Sequence, residues 1–155
     1  MKIAVIGSGS WGTALAQTLS DNGHDVLIYG ICAEEVSEIN DKHTNSRYFG
    51  ETSLPTTLRA TTDISATADY GDVFLLAVPT RFFGDALEKL APYISKKTIV
   101  VNVAKGFSWD TDERLSVYIE KKTRPRVLCG RGVAYWTEPC GRGRFTHGDA
   151  YLRRV

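Results

Sequence analysis

An apolar segment that runs directly into a glycine-rich turn constrains the fold more than any other feature of this chain. Residues 1–6 end at Gly7, and Gly9 and Gly12 follow at the G-x-G-x-x-G spacing before the Ala/Leu-rich residues 13–19. Glycines at these three positions permit a tight turn, a close approach by phosphates and close helix–strand packing, respectively. The N–H groups at the start of the helix then face an anion. The pattern predicts a site for a dinucleotide pyrophosphate; the alternative is an ordinary glycine turn without a ligand.

Strand-like and helix-like segments alternate along the chain after this turn. The apolar runs 73–78 and 98–103 are typical of strands that are covered on both faces. The predicted strands are 1–6, 25–29, 58–61, 73–78, 98–103 and 126–128, and the predicted helices are 13–19, 33–42, 63–68, 82–90 and 110–121, with a polar loop over 43–55. The alternation predicts an α/β fold, with a doubly wound (Rossmann-like), mostly parallel sheet and helices on both faces. Ligands of such sheets bind at the carboxyl ends of the strands.

The composition argues against several classes of function. The formal net charge is +1, so we expect no nucleic-acid partner and no attraction to a membrane surface. We find no apolar run long enough to span a bilayer and no secretion signal. The three cysteines, Cys32, Cys129 and Cys140, contain no C-x-x-C pair, which predicts neither a disulfide framework nor a metal site. We therefore expect a cytoplasmic protein, since unpaired cysteines suit a reducing compartment.

One lysine follows a predicted buried strand directly. Lys105 lies between Ala104 and Gly106, at the expected carboxyl end of strand 98–103. At that place its ammonium group can hold a phosphate or a substrate oxygen. The alternative is a surface lysine at a turn, and the residues alone do not decide between the two.

Four stretches carry motifs that are narrower than the glycine spacing. They are residues 6–16, Ile-Gly-Ser-Gly-Ser-Trp-Gly-Thr-Ala-Leu-Ala; the loop from Asn40 through Asn45 and Tyr48 to Leu54-Pro55; residues 75–80, Leu-Leu-Ala-Val-Pro-Thr; and residues 103–107, Val-Ala-Lys-Gly-Phe. Together they resemble the N-terminal domain of the bacterial NAD(P)-dependent glycerol-3-phosphate dehydrogenases. The resemblance covers about residues 1–128.

This resemblance implies an oxidoreductase that uses NAD or NADP to transfer hydride reversibly at C2 of dihydroxyacetone phosphate or sn-glycerol 3-phosphate, a step in glycerophospholipid precursor synthesis. By the family's pattern, Ser10, Trp11 and Tyr48 line the cofactor site beside the glycine turn. Phe82 flanks the nicotinamide end, and Lys105 contacts both cofactor and substrate. The catalytic general acid–base lysine of the family lies in a second, helical domain. Full-length members are expected to form homodimers.

The chain departs from the family at the end of its second predicted strand. Where many members place an arginine, this chain has Ile31 and then Cys32. Such an arginine would hold the 2′-phosphate of NADP. Its absence argues against tight NADP binding and leaves the choice between NAD and NADP open. Glu34 is a candidate partner for a ribose hydroxyl, although an acid at a helix start also compensates the helix dipole.

A larger departure follows residue 128. Residues 130–155 contain no Ile, Lys, Ser, Asn or Gln. Residues 136–144, Trp-Thr-Glu-Pro-Cys-Gly-Arg-Gly-Arg, can be back-translated so that the frame one base later encodes Gly-Pro-Ser-His-Ala-Glu-Glu-Val, as the family would continue. We interpret 1–128 as the nucleotide-binding domain and 129–155 as the product of a frameshift near codons 126–132, with the helical substrate domain absent. The alternative is a genuine divergent extension.

The expected function is nucleotide binding by a catalytically incomplete chain. Without a second domain there is no acid–base lysine and no wall that excludes water from the reacting carbon. Two alternatives stay open: a dehydrogenase of the ketopantoate reductase or 6-phosphogluconate type, and a non-catalytic nucleotide-sensing module. Residues 10–12 and 103–106 argue against the first. Sensing modules typically carry an acid at the end of the second strand, where this chain has Gly30 and Ile31.

Overall fold

The computed structural model describes residues 1–94 and 98–123, and beyond these only the backbone of two short strands. The described residues form one seven-stranded sheet with helices on both faces. The strands are β1 (Lys2–Ile6), β2 (Asp25–Tyr29), β3 (Arg59–Thr61), β4 (Val73–Leu76), β5 (Ile99–Asn102), β6 (Gly132–Tyr135) and β7 (Tyr151–Arg154). The helices are α1 (Ser10–Asp21), α2 (Ala33–Lys42), α3 (Ser46–Phe49), α4 (Phe83–Leu90) and α5 (Leu115–Thr123), with 3-10 turns at Ile64–Tyr70, Thr80–Phe82 and Ala91–Tyr93. In this part of the chain, no helix has the length and apolar character needed to cross a membrane.

Strand β1 lies inside the sheet, and the order of the strands is β3-β2-β1-β4-β5-β6-β7. Strands β1 to β6 pair in parallel, and β7 pairs antiparallel with β6. The chain moves outward from β1 through β2 to β3 and then returns to the other side of β1 with β4. This reversal makes the carboxyl ends of β1 and β4 the switch point of the sheet, where a doubly wound fold binds its ligand.

Alternate residues of β1 are buried on opposite faces of the sheet. Ile3 and Val5 pack in the cluster that includes apolar residues of α1 and α2, whereas Ala4 and Ile6 pack with those of α4 and α5. Each of the four is at most 4% exposed. Full burial of a valine or isoleucine side chain stabilises a fold by about 1.5–3 kcal/mol. This core on both faces therefore fixes the strands whose carboxyl ends carry the glycine turn and the turn at Lys105.

The predicted fold class is confirmed, and β2 and α2 have the predicted bounds. Strand β4 ends at Leu76 rather than at 78. The physical reason is that its neighbour β1 ends at Ile6: the N–H of Ala77 still donates to the carbonyl of Ile6 at 2.8 Å, after which β1 has turned away.

Helix α5 begins at Leu115 rather than at 110, because residues 107–114 form a closed turn. Within it, the N–H of Ser108 donates to the carbonyl of Glu113 at 2.7 Å. Asp112 has a φ of 52°, and a residue in this left-handed region does not continue a right-handed helix. The amphipathic pattern of the segment is therefore helical only in its second half.

The predicted polar loop over 43–55 contains the one-turn helix α3, which the pattern did not indicate. The predicted strand 126–128 and residues 136–144, on which the frameshift interpretation rests, lie outside the described residues. Strand β6 continues the sheet in parallel beside β5, with Val133 opposite Val100. The division of the chain at residue 128 stays a prediction.

Candidate nucleotide-binding site

The turn after β1 leaves no room for a side chain at two of its glycines. Gly7 has a φ of +120°, and a Cβ there would lie 2.7 Å from the carbonyl oxygen of Ala77. A Cβ on Gly12 would lie 1.9 Å from the carbonyl oxygen of Gly7. Both distances are far below van der Waals contact, so these glycines allow α1 to lie against the ends of β1 and β4.

Gly9 differs from Gly7 and Gly12, because a Cβ there would have no described protein atom within 4 Å apart from those of the adjacent residues in the chain. It is the N-cap of α1, with an extended backbone (φ −69°, ψ −178°) that any residue adopts. Internal packing does not require a glycine at this place, whereas close approach by a molecule from outside does. The first N–H groups of α1 lack intrahelical acceptors, and Gly9 has no side chain to bind them. A pyrophosphate fits here, since a helix N-terminus carries about half a positive charge.

Hydrogen bonds from a buried asparagine, Asn45, hold the glycine turn in place. Asn45 is fully buried, and its Nδ2 donates to the carbonyl of Ser8 and to Oγ1 of Thr13, both at 3.0 Å. Oγ1 of Thr13 donates to the same Ser8 carbonyl at 3.1 Å. Because Asn45 is also the N-cap of α3, this clamp joins the glycine turn to α3.

A second clamped turn presents Lys105 at the same edge of the sheet. The side chain of Asn102, at the end of β5, donates to the carbonyl of Ala104 at 3.2 Å and accepts from the Ala104 N–H at 3.1 Å. Gly106 follows with a φ of +98°, which favours glycine. The turn leaves the Lys105 side chain exposed.

A cleft of about 880 Å³ lies across the carboxyl ends of β1, β2, β4 and β5. Its size is within the range of small-molecule sites, roughly 300–1,000 Å³. The predicted site residues that line it are Gly7, Gly9, Ser10, Trp11, Tyr48, Phe82 and Lys105. Gly12 is instead buried beneath the turn. Trp11, Tyr48 and Phe82 are 65%, 40% and 44% exposed, and such a group of open aromatic side chains is typical of a surface that a ligand covers.

Comparison with known proteins decides the family. The family described as NAD-dependent glycerol-3-phosphate dehydrogenase N-terminus matches residues 2–135. This chain belongs to that family. The assignment from the resemblance is thereby confirmed, as are the oxidoreductase class and the NAD(P) cofactor of the family.

Individual relatives agree with this assignment. Glycerol-3-phosphate dehydrogenase NAD(P)+ of Lysinibacillus sphaericus is 45% identical over 115 residues, which cover 74% of this chain and 34% of that protein. The enzyme of the same name from Enterococcus faecalis is 42% identical over 121 residues, 78% of this chain and 36% of that protein. The crystal structure of glycerol-3-phosphate dehydrogenase from Coxiella burnetii superimposes with a TM-score of 0.75 at 28% identity, covering 85% of this chain and 39% of that one. The chain thus spans about a third of the length of the curated relatives it matches.

The sequence did not predict two charged residues of the cleft. Glu35, in the first turn of α2, is only 7% exposed. Its Oε1 accepts from Nη1 of Arg47 at 2.9 Å, and its Oε2 accepts from Oγ of Ser8 at 2.8 Å. The hydrogen bond to Glu35 raises the pKa of Arg47, whose side chain is 67% exposed on α3. No sequence signal revealed this pair, since Glu35 resembles a dipole-compensating acid and Arg47 lies in an expected loop.

Among the described residues of the cleft wall, Glu35 is present and Glu34 is not. Glu34 lines a separate hollow of about 840 Å³ beside α2 and α3, where a hydrogen bond from the Cys32 thiol lowers the pKa of Glu34. Glu38 lines the same hollow. Hydrogen bonds from the Thr44 hydroxyl and from Ser46 lower the pKa of Glu38. Glu38 thereby ties α2 to the beginning of α3.

Proposed function

We propose that this chain binds a nicotinamide dinucleotide in the cleft and forms the cofactor-binding part of an NAD(P)-dependent glycerol-3-phosphate dehydrogenase. The observation that carries the proposal is the geometry of Gly9. Packing within the described protein leaves room for a side chain at Gly9. Gly9 is nevertheless a glycine, and it lies at the N-terminus of α1, at the switch point of the sheet. A glycine in that setting is explained by the close approach of a pyrophosphate.

The rest of the cleft fits the two ends of such a cofactor. Tyr48 lines the cleft next to Arg47, which bonds to Glu35 on α2 after β2, and doubly wound folds receive the adenosine ribose at this end. Phe82 follows β4 on the other side, and we assign it to the nicotinamide end. Ser10 and Trp11, in the first turn of α1, lie between the two. The bound nicotinamide would supply hydride exchange with C2 of the substrate.

Lys105 is the residue we assign to the substrate as well as the cofactor. Dihydroxyacetone phosphate and sn-glycerol 3-phosphate both carry a phosphate and an oxygen at C2, and an exposed ammonium group attracts either. The acid–base lysine expected from the family lies in its helical domain. We therefore propose that the 155-residue polypeptide by itself binds nucleotide without turning over substrate.

A titration of the 155-residue polypeptide with NADH, with and without sn-glycerol 3-phosphate, tests the binding part. We expect the nicotinamide fluorescence to change on binding, and the affinity to increase when sn-glycerol 3-phosphate is present. Lys105→Met should abolish that increase, whereas the control Lys42→Met, on the far end of α2, should retain it. Absence of NADH binding at millimolar concentration would refute the proposal. An NADH affinity that sn-glycerol 3-phosphate does not change would favour the alternative of a nucleotide-sensing module.

Turnover is measured separately, with dihydroxyacetone phosphate and either reduced nucleotide. We expect no consumption of NADH or NADPH above the background rate. Measurable turnover by the purified 155-residue polypeptide would contradict the proposed catalytic incompleteness.

We propose a cytoplasmic location and no nucleic-acid partner for this chain. The support is the set of three cysteines without a C-x-x-C pair and the net charge of +1. A homodimer of the full-length enzyme is also a proposal, and the sedimentation coefficient of the full-length polypeptide tests it.

A further inference from the structure

An ion pair occupies the cleft on the side of β2. Ile31 and Cys32, which follow β2, contribute no cation to this wall. The charges nearby come from Glu35 on α2 and Arg47 on α3, whose Nη1–Oε1 distance is 2.9 Å. Both residues line the cleft. In a doubly wound fold this is the end that meets the adenosine ribose, and the group at its 2′ position is what distinguishes NAD from NADP.

The carboxylate of Glu35 is held firmly in place. A Cβ on Gly30 would lie 2.6 Å from Oγ of Ser8, so the absence of a side chain at Gly30 is what leaves room for that hydroxyl. The hydroxyl in turn donates to Oε2 of Glu35 at 2.8 Å. Each carboxylate oxygen can accept a second hydrogen bond, since a carboxylate has about four lone-pair sites. Glu35 therefore retains acceptor capacity for a hydroxyl group.

The Glu35–Arg47 pair interacts differently with NAD and with NADP. A ribose 2′-hydroxyl can donate to Glu35, whereas a 2′-phosphate brings about two negative charges and has no strong donor at neutral pH. Arg47 has the geometry to bind a phosphate with two N–H groups. However, its charge is already partly neutralised by Glu35, at 2.9 Å.

We propose that Glu35 makes this cleft select NAD(H) over NADP(H), by accepting a hydrogen bond from the ribose 2′-hydroxyl and by occupying Arg47. This inference rests on the proposed function, since it presumes that the cleft binds a dinucleotide. It assigns the discrimination to residues of α2 and α3 rather than to the residue directly after β2. Removing the charge of Glu35 should release Arg47 to hold a 2′-phosphate.

The test compares the dissociation constants of NADH and NADPH for the 155-residue polypeptide and its variants. We expect the unmodified chain to bind NADH at least about tenfold more tightly than NADPH, a difference of about 1.4 kcal/mol. Glu35→Gln keeps the shape of the side chain and an acceptor for Ser8. It should reduce this preference by about tenfold or more, mainly by tightening NADPH binding. The tightened NADPH binding should weaken steeply with added salt.

A matched control and two further variants make the test specific. Glu34→Gln removes the same charge from the same turn of α2, but on the side of the second hollow, and should leave the preference within about twofold. Arg47→Gln alone should widen the preference for NADH, because it leaves Glu35 facing the 2′-phosphate without its partner. The double variant Glu35→Gln/Arg47→Gln should lose the gain in NADPH binding. Arg47 is exposed, so the single variant Arg47→Gln keeps the test available if Glu35→Gln fails to fold.

The possible failures are distinguishable. If neither NADH nor NADPH binds, the proposed function fails and the inference fails with it. If both bind and Glu35→Gln leaves their ratio unchanged, or Glu34→Gln changes it equally, only the inference is overturned. Equal affinity of the unmodified chain for the two nucleotides would also overturn it.

Discussion

The glycine turn allows one chemical change, glycine to alanine, to be tested at two positions three residues apart with opposite expected results. Gly9→Ala places its methyl group where no described protein atom lies within 4 Å apart from those of the adjacent residues in the chain. Gly12→Ala places it 1.9 Å from the carbonyl oxygen of Gly7. We therefore expect Gly9→Ala to impair nucleotide binding in a folded protein, and Gly12→Ala to impair folding.

The magnitudes follow from the contact distances. Ordinary contacts of a Cβ begin at 3.4 Å, so α1 must move away from the backbone of Gly7 by about 1.5 Å in Gly12→Ala. Overpacking of this kind costs about 3 kcal/mol or more, and the better helix propensity of alanine returns about 1 kcal/mol. The net loss of about 2 kcal/mol lowers Tm by roughly 4–8 °C for a chain of this length. In Gly9→Ala, the weaker N-cap lowers the free energy of unfolding and the less flexible unfolded state raises it. We expect the two effects to cancel to within about 0.5 kcal/mol.

Thermal unfolding by circular dichroism and titration with NADH, on the same purified samples, measure both effects. Gly9→Ala should retain its Tm and bind NADH at least about tenfold more weakly, which is about 1.4 kcal/mol of binding free energy. Gly23→Ala is the control for a loss of stability without a change in the cleft, since Gly23 has open space but a φ of +81°. The free energy of unfolding of Gly23→Ala should fall by about 1 kcal/mol, and its affinity for NADH should equal that of the unmodified chain. If Gly9→Ala unfolds at as low a temperature as Gly12→Ala, or binds NADH as tightly as the unmodified chain, the role assigned to Gly9 is refuted.

Two further predictions concern the support of α3. Asn45→Ala removes two buried hydrogen bonds, so it should lower the free energy of unfolding by about 2 kcal/mol and weaken NADH binding, as urea titration and fluorescence measure. Asn40→Ala removes two half-buried hydrogen bonds between an exposed side chain and Ala60, so it should cost less stability and leave NADH binding unchanged. Because the pKa of Glu38 is lowered in the folded state from its usual 4.5, its stabilising contribution is complete above pH 4.5 and is lost as the pH falls through the lower folded value. Urea midpoints of Glu38→Gln and the unmodified chain should therefore converge in acid, and a constant difference across the range would contradict this.

The architecture was predictable because local signals and the global fold agree. The apolar run that became β4 is buried on both faces, which only a sheet between two helix layers provides. In β5, Val100 is buried, whereas Ile99 on the opposite face is 36% exposed. The glycine spacing, placed between a strand and a helix, predicted the turn and its packing. In such segments each residue's own chemistry indicates its surroundings, so no knowledge of distant contacts was needed.

The sequence did not predict helix α3 or the Glu35–Arg47 pair, because both depend on contacts between residues that are far apart in the chain. Helix α3 is a single turn whose N-cap residue, Asn45, makes no side-chain cap and bonds instead to Ser8 and Thr13. A one-turn helix has no periodicity to detect, and its position follows from that clamp. The Glu35–Arg47 pair likewise forms because the clamp and the hydrogen bonds of Ser46 to Glu38 hold α3 beside α2.

Ser8 connects the glycine turn with the Glu35–Arg47 pair, because its carbonyl and its hydroxyl are held by different partners. Its carbonyl accepts from Asn45, and its hydroxyl donates to Glu35. The backbone that presents the N–H groups of α1 is therefore coupled to the carboxylate that we assign to cofactor choice. A substitution of Glu35 that leaves the Ser8 hydroxyl without its acceptor, such as Glu35→Ala, would also disturb pyrophosphate binding. It would therefore weaken the binding of both NADH and NADPH. Glu35→Gln keeps that hydrogen bond, so a change in the NADH-to-NADPH ratio in this variant reports on the 2′ position alone.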